Sequence, residues 1–389
     1  MQMLDRVRGS IREFDGLRGI AIFLVMTHHF WPRFGYWSEW ASVPHLGWIG
    51  VDLFFVLSGF LITGILLDSK DSPHYFRNFY ARRVIRIFPL YYLVVIAAFI
   101  GIPAMQGGAW STSEFVRESG SPWWYLLYQG NLREAIVGHE PAYVLAPLWS
   151  LSIEEQFYML FPLLVLMLDR KTLTRTLLAL LVFAPLFRFA TTLIWPDNER
   201  IQYLATPSRV DVLSMGGLLA LAFRTDSRWI ETGRLRALFW PALAVVVITF
   251  ALGGLDRTRF FGRVLGYSVV GFFFMIAVAY ALSLRESAST AWLRVRPLMG
   301  LGKICYGVYL LQRPVEVALG KITAALGHPL SDTSLGSVPI KMSAAIAAAT
   351  VSWLCFERPI LELKKRFSIP HHPQGREIST AAIAQAPVR

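Results

Sequence analysis

Long apolar runs, each close to the length of a membrane-spanning helix, recur through the sequence. A hydrocarbon core about 30 Å thick requires about 20 consecutive, mostly apolar residues in a helix. The pattern therefore predicts an all-α fold, a polytopic membrane helix bundle with about ten transmembrane helices. The runs cover about residues 14–31, 47–67, 84–102, 147–168, 176–195, 207–223, 237–255, 264–284, 300–319 and 339–356.

Composition agrees with an integral, multi-pass membrane protein. Of the 389 residues, 54% are hydrophobic and 16% are charged, whereas soluble domains average about 25% charged residues. The first apolar run is followed by Thr27, His28 and His29 rather than by the small residues of a signal-peptide cleavage site. We therefore expect this run to be retained as a span.

Basic residues are distributed unequally between alternate loops. With the N-terminus placed inside, the inner segments hold 23 Lys and Arg residues and the outer segments hold 8, so the positive-inside rule predicts that both termini are cytoplasmic. Contact with the anionic lipid bilayer then explains most of the net charge of +12, and no nucleic-acid partner is expected. Cys305 and Cys355 have no metal-ligand spacing, so neither a metal nor a permanently bound cofactor is expected.

The first predicted span carries an arginine near one end and a histidine near the other. Arg18 and His29 are eleven residues apart, and at about 100° and 1.5 Å per residue they share a helix face and lie about 16 Å apart. Ionisable side chains in a span are costly and by default mark a pathway or a site. The pairing indicates an anion docked near one surface and proton chemistry near the opposite one.

Polar residues collect near the outer ends of several predicted spans. Side chains placed for unrelated reasons would scatter in depth, so this layer predicts one shared polar chamber near the outer surface. Asp52 and Asp211 could instead be interfacial caps, and Arg209 could form a structural ion pair with either of them. The residues assigned to the chamber are His29, Asp52, Trp149, Ser150, Glu154, Arg188, Arg209 and Asp211.

The opposite, inner side of the predicted bundle is basic. Arg82, Arg83 and Arg86 form a helical cluster that leads into the third span, and Arg18 lies at the same level. The planar fork of arginine suits phosphate oxygens. Positive-inside topology is the simpler explanation for such residues, but Arg86 is drawn into an apolar segment. We therefore predict an inner phosphate site that span 1 connects to an outer imidazole.

Seven stretches of the sequence resemble the acyltransferase 3 family, integral membrane proteins that transfer acyl groups, mostly acetyl, to hydroxyls. The resemblance implies an acyltransferase domain over residues 1–367 in a bacterial cytoplasmic (inner) membrane, without the fused hydrolase-like domain of some members. We expect residues 368–389 to form a disordered cytoplasmic tail. The stretches are FDGLRGIAIFLVMTHHF, GVDLFFVLSGFLIT, RRVIRIFPLYY, LWSLSIEEQFY, TPSRVDVLSMGG, GKICYGVYLLQRP and FERPILELKKRF.

The resemblance also implies roles for individual residues. Many members carry His where this chain has Gln312, which cannot act as a base, so Gln312 is left out of the catalytic set. The implied roles are essential ones for Arg18 and His29, binding of the donor phosphates by Arg83 and Arg86, and functional polar roles for Glu154 and Arg209.

These observations predict an enzyme that moves an acyl group, with acetyl expected, from cytoplasmic acyl-CoA to a hydroxyl of a carbohydrate or glycolipid acceptor. His29 would act as the base, oriented by Glu154 or Asp52, or would carry the acyl group itself. The main alternative is a proton-coupled transporter or exporter of a small metabolite or glycan. The sequence identifies neither the acceptor nor an oligomeric state.

Overall fold

A computed structural model describes residues 11–32, 43–106, 113–225, 232–331 and 333–367, and these residues form helices and loops without a β-strand. In chain order the α-helices are α1 (Arg12–Phe30), α2 (Ile49–Asp68), α3 (Tyr75–Gln106), α4 (Glu114–Ser119), α5 (Trp123–Leu126), α6 (Gly130–Val137), α7 (Leu148–Met167), α8 (Arg170–Ile194), α9 (Arg200–Leu204), α10 (Val210–Ala222), α11 (Thr232–Ala251), α12 (Tyr267–Ser283), α13 (Arg296–Lys303), α14 (Cys305–Ala325), α15 (Ser337–Ser352) and α16 (Arg358–Leu361).

Within the described ranges, seven helical segments are long and apolar enough to cross a membrane. Their lengths run from 19 to 31 residues, close to or above the roughly 20 that a bilayer core requires. The expected all-α, multi-span architecture is therefore confirmed. The segments are Pro44–Asp68, Tyr75–Met105, Leu148–Met167, Arg170–Ile194, Gly233–Ala251, Gly262–Ser283 and Ser337–Lys364.

Three of the ten expected spans, the first, sixth and ninth, are absent from these seven segments. The helix of the sixth expected span, α10, has only 13 residues. The helices α1 and α14 each carry several charged side chains along their length. The count of about ten is therefore not confirmed, and the cytoplasmic location of both termini stays a prediction. The predicted tail at 368–389 lies outside the described residues.

Two glycines bring α2 and α10 into backbone contact near the centre of the bundle. A Cβ added to Gly59 would overlap the carbonyl oxygen of Leu213, and one added to Gly216 would overlap the carbonyl oxygen of Val56. Small residues allow such close approach of helices in membranes. The pair α2–α10 thus forms a tightly packed centre against which other helices lie.

A second set of close contacts fixes α1. A Cβ added to Gly16 would overlap the backbone of Leu293, which lies just before α13. A Cβ added to Gly19 would overlap the backbone of Leu298, which lies in α13. A short 3₁₀ helix, Pro44–Trp48, packs along the other half of α1 and leads directly into α2. The consequence is that both ends of α1, including Arg18 and His29, are held at defined positions in the bundle.

We predict that Gly216→Ala destabilises the fold. Its new methyl group would meet the backbone of Val56 and Phe60, and over-packing of this kind costs about 1–3 kcal/mol. The melting temperature of the purified protein in detergent should fall accordingly. Gly320→Ala is the matched control, because that glycine is exposed on α14 with no atom near the added Cβ. Equal melting temperatures for the two variants would contradict the close packing.

Candidate active site

Five helices, α1, α2, α3, α7 and α14, surround a cavity of about 220 Å³ that we call the arginine cavity. Its wall is mainly apolar on the α2 side, where leucine and isoleucine side chains line it. The volume lies below the roughly 300–1,000 Å³ of typical ligand pockets. The polar side chains that line it are those of Arg18, Ser58, Arg83, Arg86, Ser150, Glu154, Tyr158, Cys305, Tyr306 and Tyr309.

Three arginines of the sequence prediction meet in this cavity. Arg18 donates to the carboxylate of Asp15, with 3.2 Å between Nη1 and Oδ1. The guanidinium of Arg83 lies 5.2 Å from the centre of the Tyr158 ring. Among the described residues, neither Arg83 nor Arg86 has an acidic partner at salt-bridge distance. Two guanidinium groups are therefore available to an anion.

Glu154 belongs to the same cavity, which differs from its expected place beside His29. Ser58 donates to Oε1 of Glu154 at 2.7 Å, and the Tyr158 hydroxyl donates to Oε2 at 3.1 Å. The side chain lies nearly two turns into α7, on the face turned toward the arginines. The sequence prediction placed Glu154, as a deeper member, in the same outer chamber as His29, whereas the two side chains line different cavities.

A second cavity, of about 680 Å³, lies at the other end of α1, and we call it the histidine cavity. Loops and short helices contribute much of its wall, together with the ends of α1 and α7 and the middle of α14. It is the more polar of the two and falls within the usual size range of ligand pockets. Its lining includes His28, His29, Trp31, Trp48, Glu134, Glu140, Tyr143, Trp149, Glu199, Arg200, Tyr203, Arg257, Tyr309, Arg313, Glu316 and Lys341.

Both histidines at the end of α1 line the histidine cavity. Their ring centres are 5.5 Å apart. Nδ1 of His28 lies 2.6 Å from the carbonyl oxygen of His45, a contact that fixes this ring against the 3₁₀ helix. Arg313 donates to the backbone carbonyl of His29 at 3.3 Å. The prediction for His28 was a lining or structural role, and this arrangement is compatible with both.

Two groups of ion pairs connect the elements that form the wall of the histidine cavity. Glu316 accepts from Arg313 at 2.8 Å, from Lys341 at 2.9 Å and from the Tyr143 hydroxyl at 2.5 Å. The wall on that side is thus joined across α14, α15 and the loop before α7. No residue of this cluster was singled out from the sequence.

The second group of ion pairs joins α6 to α9. Arg200 contacts Glu134 at 2.5 Å and Glu140 at 2.9 Å. Burial raises the pKa of Glu134 to about 8, against the attraction of Arg200. These partners are separated by 60 residues or more along the chain, so sequence spacing carried no signal of their contact.

Val51 and Tyr309 line both cavities and therefore mark the place where the cavities meet. The Tyr309 hydroxyl donates to the carbonyl oxygen of Pro147 at 2.8 Å and lies 2.5 Å from Oγ of Ser150. A hydrogen-bonded phenol thus separates the arginine cavity from the histidine cavity. Gln312, one turn further along α14, donates to the Tyr309 backbone carbonyl at 3.0 Å, and its exclusion from the catalytic set stays a prediction.

Several residues assigned to a shared chamber lie elsewhere. Asp52 and Arg209 form an ion pair whose side chains are both fully buried. The Arg209 guanidinium also lies 4.2 Å from the centre of the Tyr267 ring. Asp52 lines neither cavity and is occupied by Arg209, so the expectation that it orients His29 is corrected. The structural ion pair considered for Arg209 from the sequence is the arrangement observed.

Arg188 and Asp211 form a second buried ion pair, with Nη2 and Oδ2 2.9 Å apart. Ser268 donates to the same carboxylate at 2.6 Å. This pair also lies outside both cavity walls. Of the predicted chamber, only Trp149 joins His29 in the histidine cavity, whereas its neighbour Ser150 faces the arginine cavity.

Arg82 is the one predicted donor-binding residue that does not line the arginine cavity. Its Nη1 donates to the carbonyl oxygen of Phe367 at 3.0 Å. The side chain is directed to the end of the described chain because Arg82 precedes Arg83 by one helix position, about 100° around α3. Over the described ranges, no group of three or more His, Cys, Asp or Glu side chains is placed to hold a metal ion.

A sequence family described as an acyltransferase domain, acyltransferase 3, matches residues 11–357. The chain belongs to the acyltransferase 3 family. Membership confirms the resemblance found in the sequence, and with it the assignment to a family of acyltransferases.

Several bacterial members of the family are similar to the chain. YrhL of Bacillus subtilis, provisionally named a peptidoglycan O-acetyltransferase, is 28% identical over 89% of this chain and 54% of its own length. The O-acetyltransferase OatA of Staphylococcus aureus is 29% identical over 78% and 50%. The peptidoglycan O-acetyltransferase OatA of Listeria monocytogenes is 25% identical over 97% and 61%. The chain spans between half and about three fifths of these relatives, and no solved structure matches it.

We predict that the Asp52–Arg209 pair is structural. Removing one member of a buried pair costs about 3–5 kcal/mol, so Asp52→Ala and Arg209→Ala should each sharply reduce the melting temperature and yield of purified protein. The apolar double variant Asp52→Leu/Arg209→Met should recover much of that loss, because the remaining charge is removed as well.

Arg259→Ala is the control for this experiment, since Arg259 pairs with Asp256 at an exposed site where an ion pair contributes about 0–1 kcal/mol. An Asp52 variant that folded with an unchanged melting temperature but lacked activity would instead indicate a catalytic carboxylate.

Proposed function

We propose that this chain is a membrane O-acyltransferase that takes an acetyl group from acyl-CoA in the arginine cavity and delivers it to a hydroxyl of a glycan in the histidine cavity. One observation carries the proposal. A single helix, α1, contributes Arg18 to one cavity and His29 to the other, and the two cavities meet at Val51 and Tyr309. The donor side would face the cytoplasm, as the charge asymmetry predicts.

The donor end of the reaction follows from charge and volume. Arg83 and Arg86 offer guanidinium forks without acidic partners in the described chain, which suit the phosphates of coenzyme A. The cavity volume of about 220 Å³ suits the thioester with part of the pantetheine arm, while the bulkier nucleotide would stay at the mouth. The carbonyl carbon would then point from the arginines toward Ser150 and Tyr309.

The chemistry at the acceptor end requires a base. His29 would accept the proton of the acceptor hydroxyl while its oxygen bonds to the thioester carbonyl carbon. The carbon–sulfur bond then breaks, and the imidazolium returns a proton to the departing thiolate of coenzyme A. If His29 carries the acyl group instead, its ring nitrogen makes the first attack and the hydroxyl the second. In either order of steps, the acyl group must pass between Val51 and Tyr309.

The acceptor is proposed to be a glycan of the cell envelope. Two of the relatives described above bear names for peptidoglycan O-acetylation. The histidine cavity has the volume for more than one sugar ring, and Trp48, Trp149 and Tyr203 supply aromatic surface to its wall. The alternative of proton-coupled transport draws no support from the family to which the chain belongs.

We predict that His29→Ala abolishes acetyl transfer while the protein still folds. Loss of a general base typically slows a reaction by about 10²–10⁴-fold, and the loss would be greater for an acyl carrier. The measurement is transfer of radiolabelled acetyl from acetyl-CoA by protein reconstituted in vesicles. His28→Ala is the paired variant and should retain substantial activity. A dead His28 variant beside an active His29 variant would reverse the assignment.

We predict that Arg86→Ala raises KM for acetyl-CoA about tenfold or more without changing the apparent affinity for the acceptor. A hydrogen bond between charged groups contributes about 1.5–3 kcal/mol, and about 1.4 kcal/mol corresponds to tenfold. Initial rates at varied acetyl-CoA would give this value. Arg77→Ala, an exposed arginine of the same helix, should have no effect. An unchanged KM for Arg86→Ala would indicate that Arg86 does not bind the donor and contributes only to the orientation of the protein in the membrane.

A further inference from the structure

The charged residues of the histidine cavity form acid–base pairs, with Arg257 as the exception; Glu199 pairs with Arg263, which lies outside the lining, at 3.9 Å. Its described wall contains four acidic residues and four Arg or Lys residues. Arg200 is held by Glu134 and Glu140, and Arg313 and Lys341 are held by Glu316. The fourth base, Arg257, makes no hydrogen bond or ion pair through its guanidinium within the described part of the chain.

Arg257 is nevertheless held in place. Its guanidinium carbon lies 4.5 Å from the centre of the Tyr203 ring, a contact that uses the ring face and leaves the N–H groups available. Arg263 donates to the backbone carbonyl of Arg257 at 3.2 Å, and the same side chain donates to the carbonyl of Pro196 at 2.5 Å. These hydrogen bonds hold the loop between α11 and α12 at the rim of the histidine cavity.

Tyr203, which supports Arg257, is also packed from another direction. Its ring lies 4.5 Å from the ring of Trp149, centre to centre. Trp149 lies at the start of α7, directly before Ser150 at the junction of the cavities. The guanidinium is therefore linked through two aromatic rings to the point where the acyl group would arrive.

A half-buried guanidinium that keeps its donors free has the properties of a recognition site for an oxyanion. Desolvating a charge is costly unless a partner compensates for it, and the arginine fork matches a planar carboxylate in a bidentate arrangement. At their formal charges the four glutamates and four cations of the lining sum to zero, and protonation of Glu134, whose pKa is raised to about 8, brings the sum to +1 at neutral pH. A monoanion fits this balance better than a phosphate dianion, which would face the four glutamates.

We propose that Arg257 binds the carboxylate of an acidic sugar in the acceptor and thereby sets acceptor specificity. This inference deepens the proposed function, because it names the chemical class of acceptor that the histidine cavity would take. It predicts that the enzyme distinguishes an acidic glycan from the same glycan with a neutral amide.

The test is equilibrium binding of two disaccharides to the full-length protein in nanodiscs, so that it does not depend on acetyl transfer. The probes are N-acetylglucosaminyl-N-acetylmuramic acid and the same compound with its carboxyl converted to a carboxamide. The unmodified protein should bind the acid about tenfold more tightly than the amide, which is about 1.4 kcal/mol. Arg257→Ala should remove this preference by weakening binding of the acid alone, and Arg257→Lys should restore part of it.

Arg259→Ala is the matched control. Arg259 occupies the same loop, is largely exposed at 64% and lies 3.6 Å from Asp256, so the variant should bind both probes as the parent does. Equal binding of acid and amide by the parent protein, or an equal loss for both in Arg257→Ala, would overturn the inference. If the preference is present but no acetyl is transferred to either probe, the proposed function fails while the recognition role of Arg257 stands.

Discussion

A charge without a partner is costly in an apolar interior, and this constraint separates the ionisable residues of the protein into two groups. Asp52–Arg209 and Arg188–Asp211 are ion pairs inside the bundle and join α2, α8 and α10. The rest of the architecture depends on these pairs, because α2 and α10 form the glycine-packed centre of the bundle. Arg83, Arg86 and Arg257, which have no acidic partner at salt-bridge distance within the described part of the chain, instead line the cavities, where a ligand can compensate for their charge.

The separation of the two cavities has a chemical consequence for acyl transfer. A thioester in contact with a large wet cavity would be exposed to hydrolysis, whereas a closed site excludes water from the reacting group. Tyr309, hydrogen-bonded to Pro147 and near Ser150, lies where the two cavities meet. For α1 to serve both sides, Arg18 and His29 must keep their spacing, and the close contacts of Gly16 and Gly19 with the neighbouring backbone hold this helix in place.

The sequence predicted what is local and missed what depends on packing between helices. Helical periodicity was sufficient to place Arg83 and Arg86 together, and it correctly separated Arg18 from His29 by most of a helix length. It could not place Glu154, because depth in a bundle depends on where α7 begins and how far it is shifted against α2. Trp149 and Ser150 are consecutive residues that face different cavities, since one helix position turns a side chain by about 100°. Partners such as Glu134 and Arg200 lie 66 residues apart and have no shared motif.

The two cavities also differ in the kind of structure that builds them. The arginine cavity is lined from five long helices that pack in the core, so its shape is tied to the stability of the fold. Much of the histidine cavity is lined from loops and short helices, which tolerate substitution and carry specificity in many proteins. Residues such as Arg257 can therefore change without disturbing the arginine cavity. Under the proposed function, such an arrangement would allow the acyl donor and the histidine of α1 to stay the same while the loops adapt to a different acceptor.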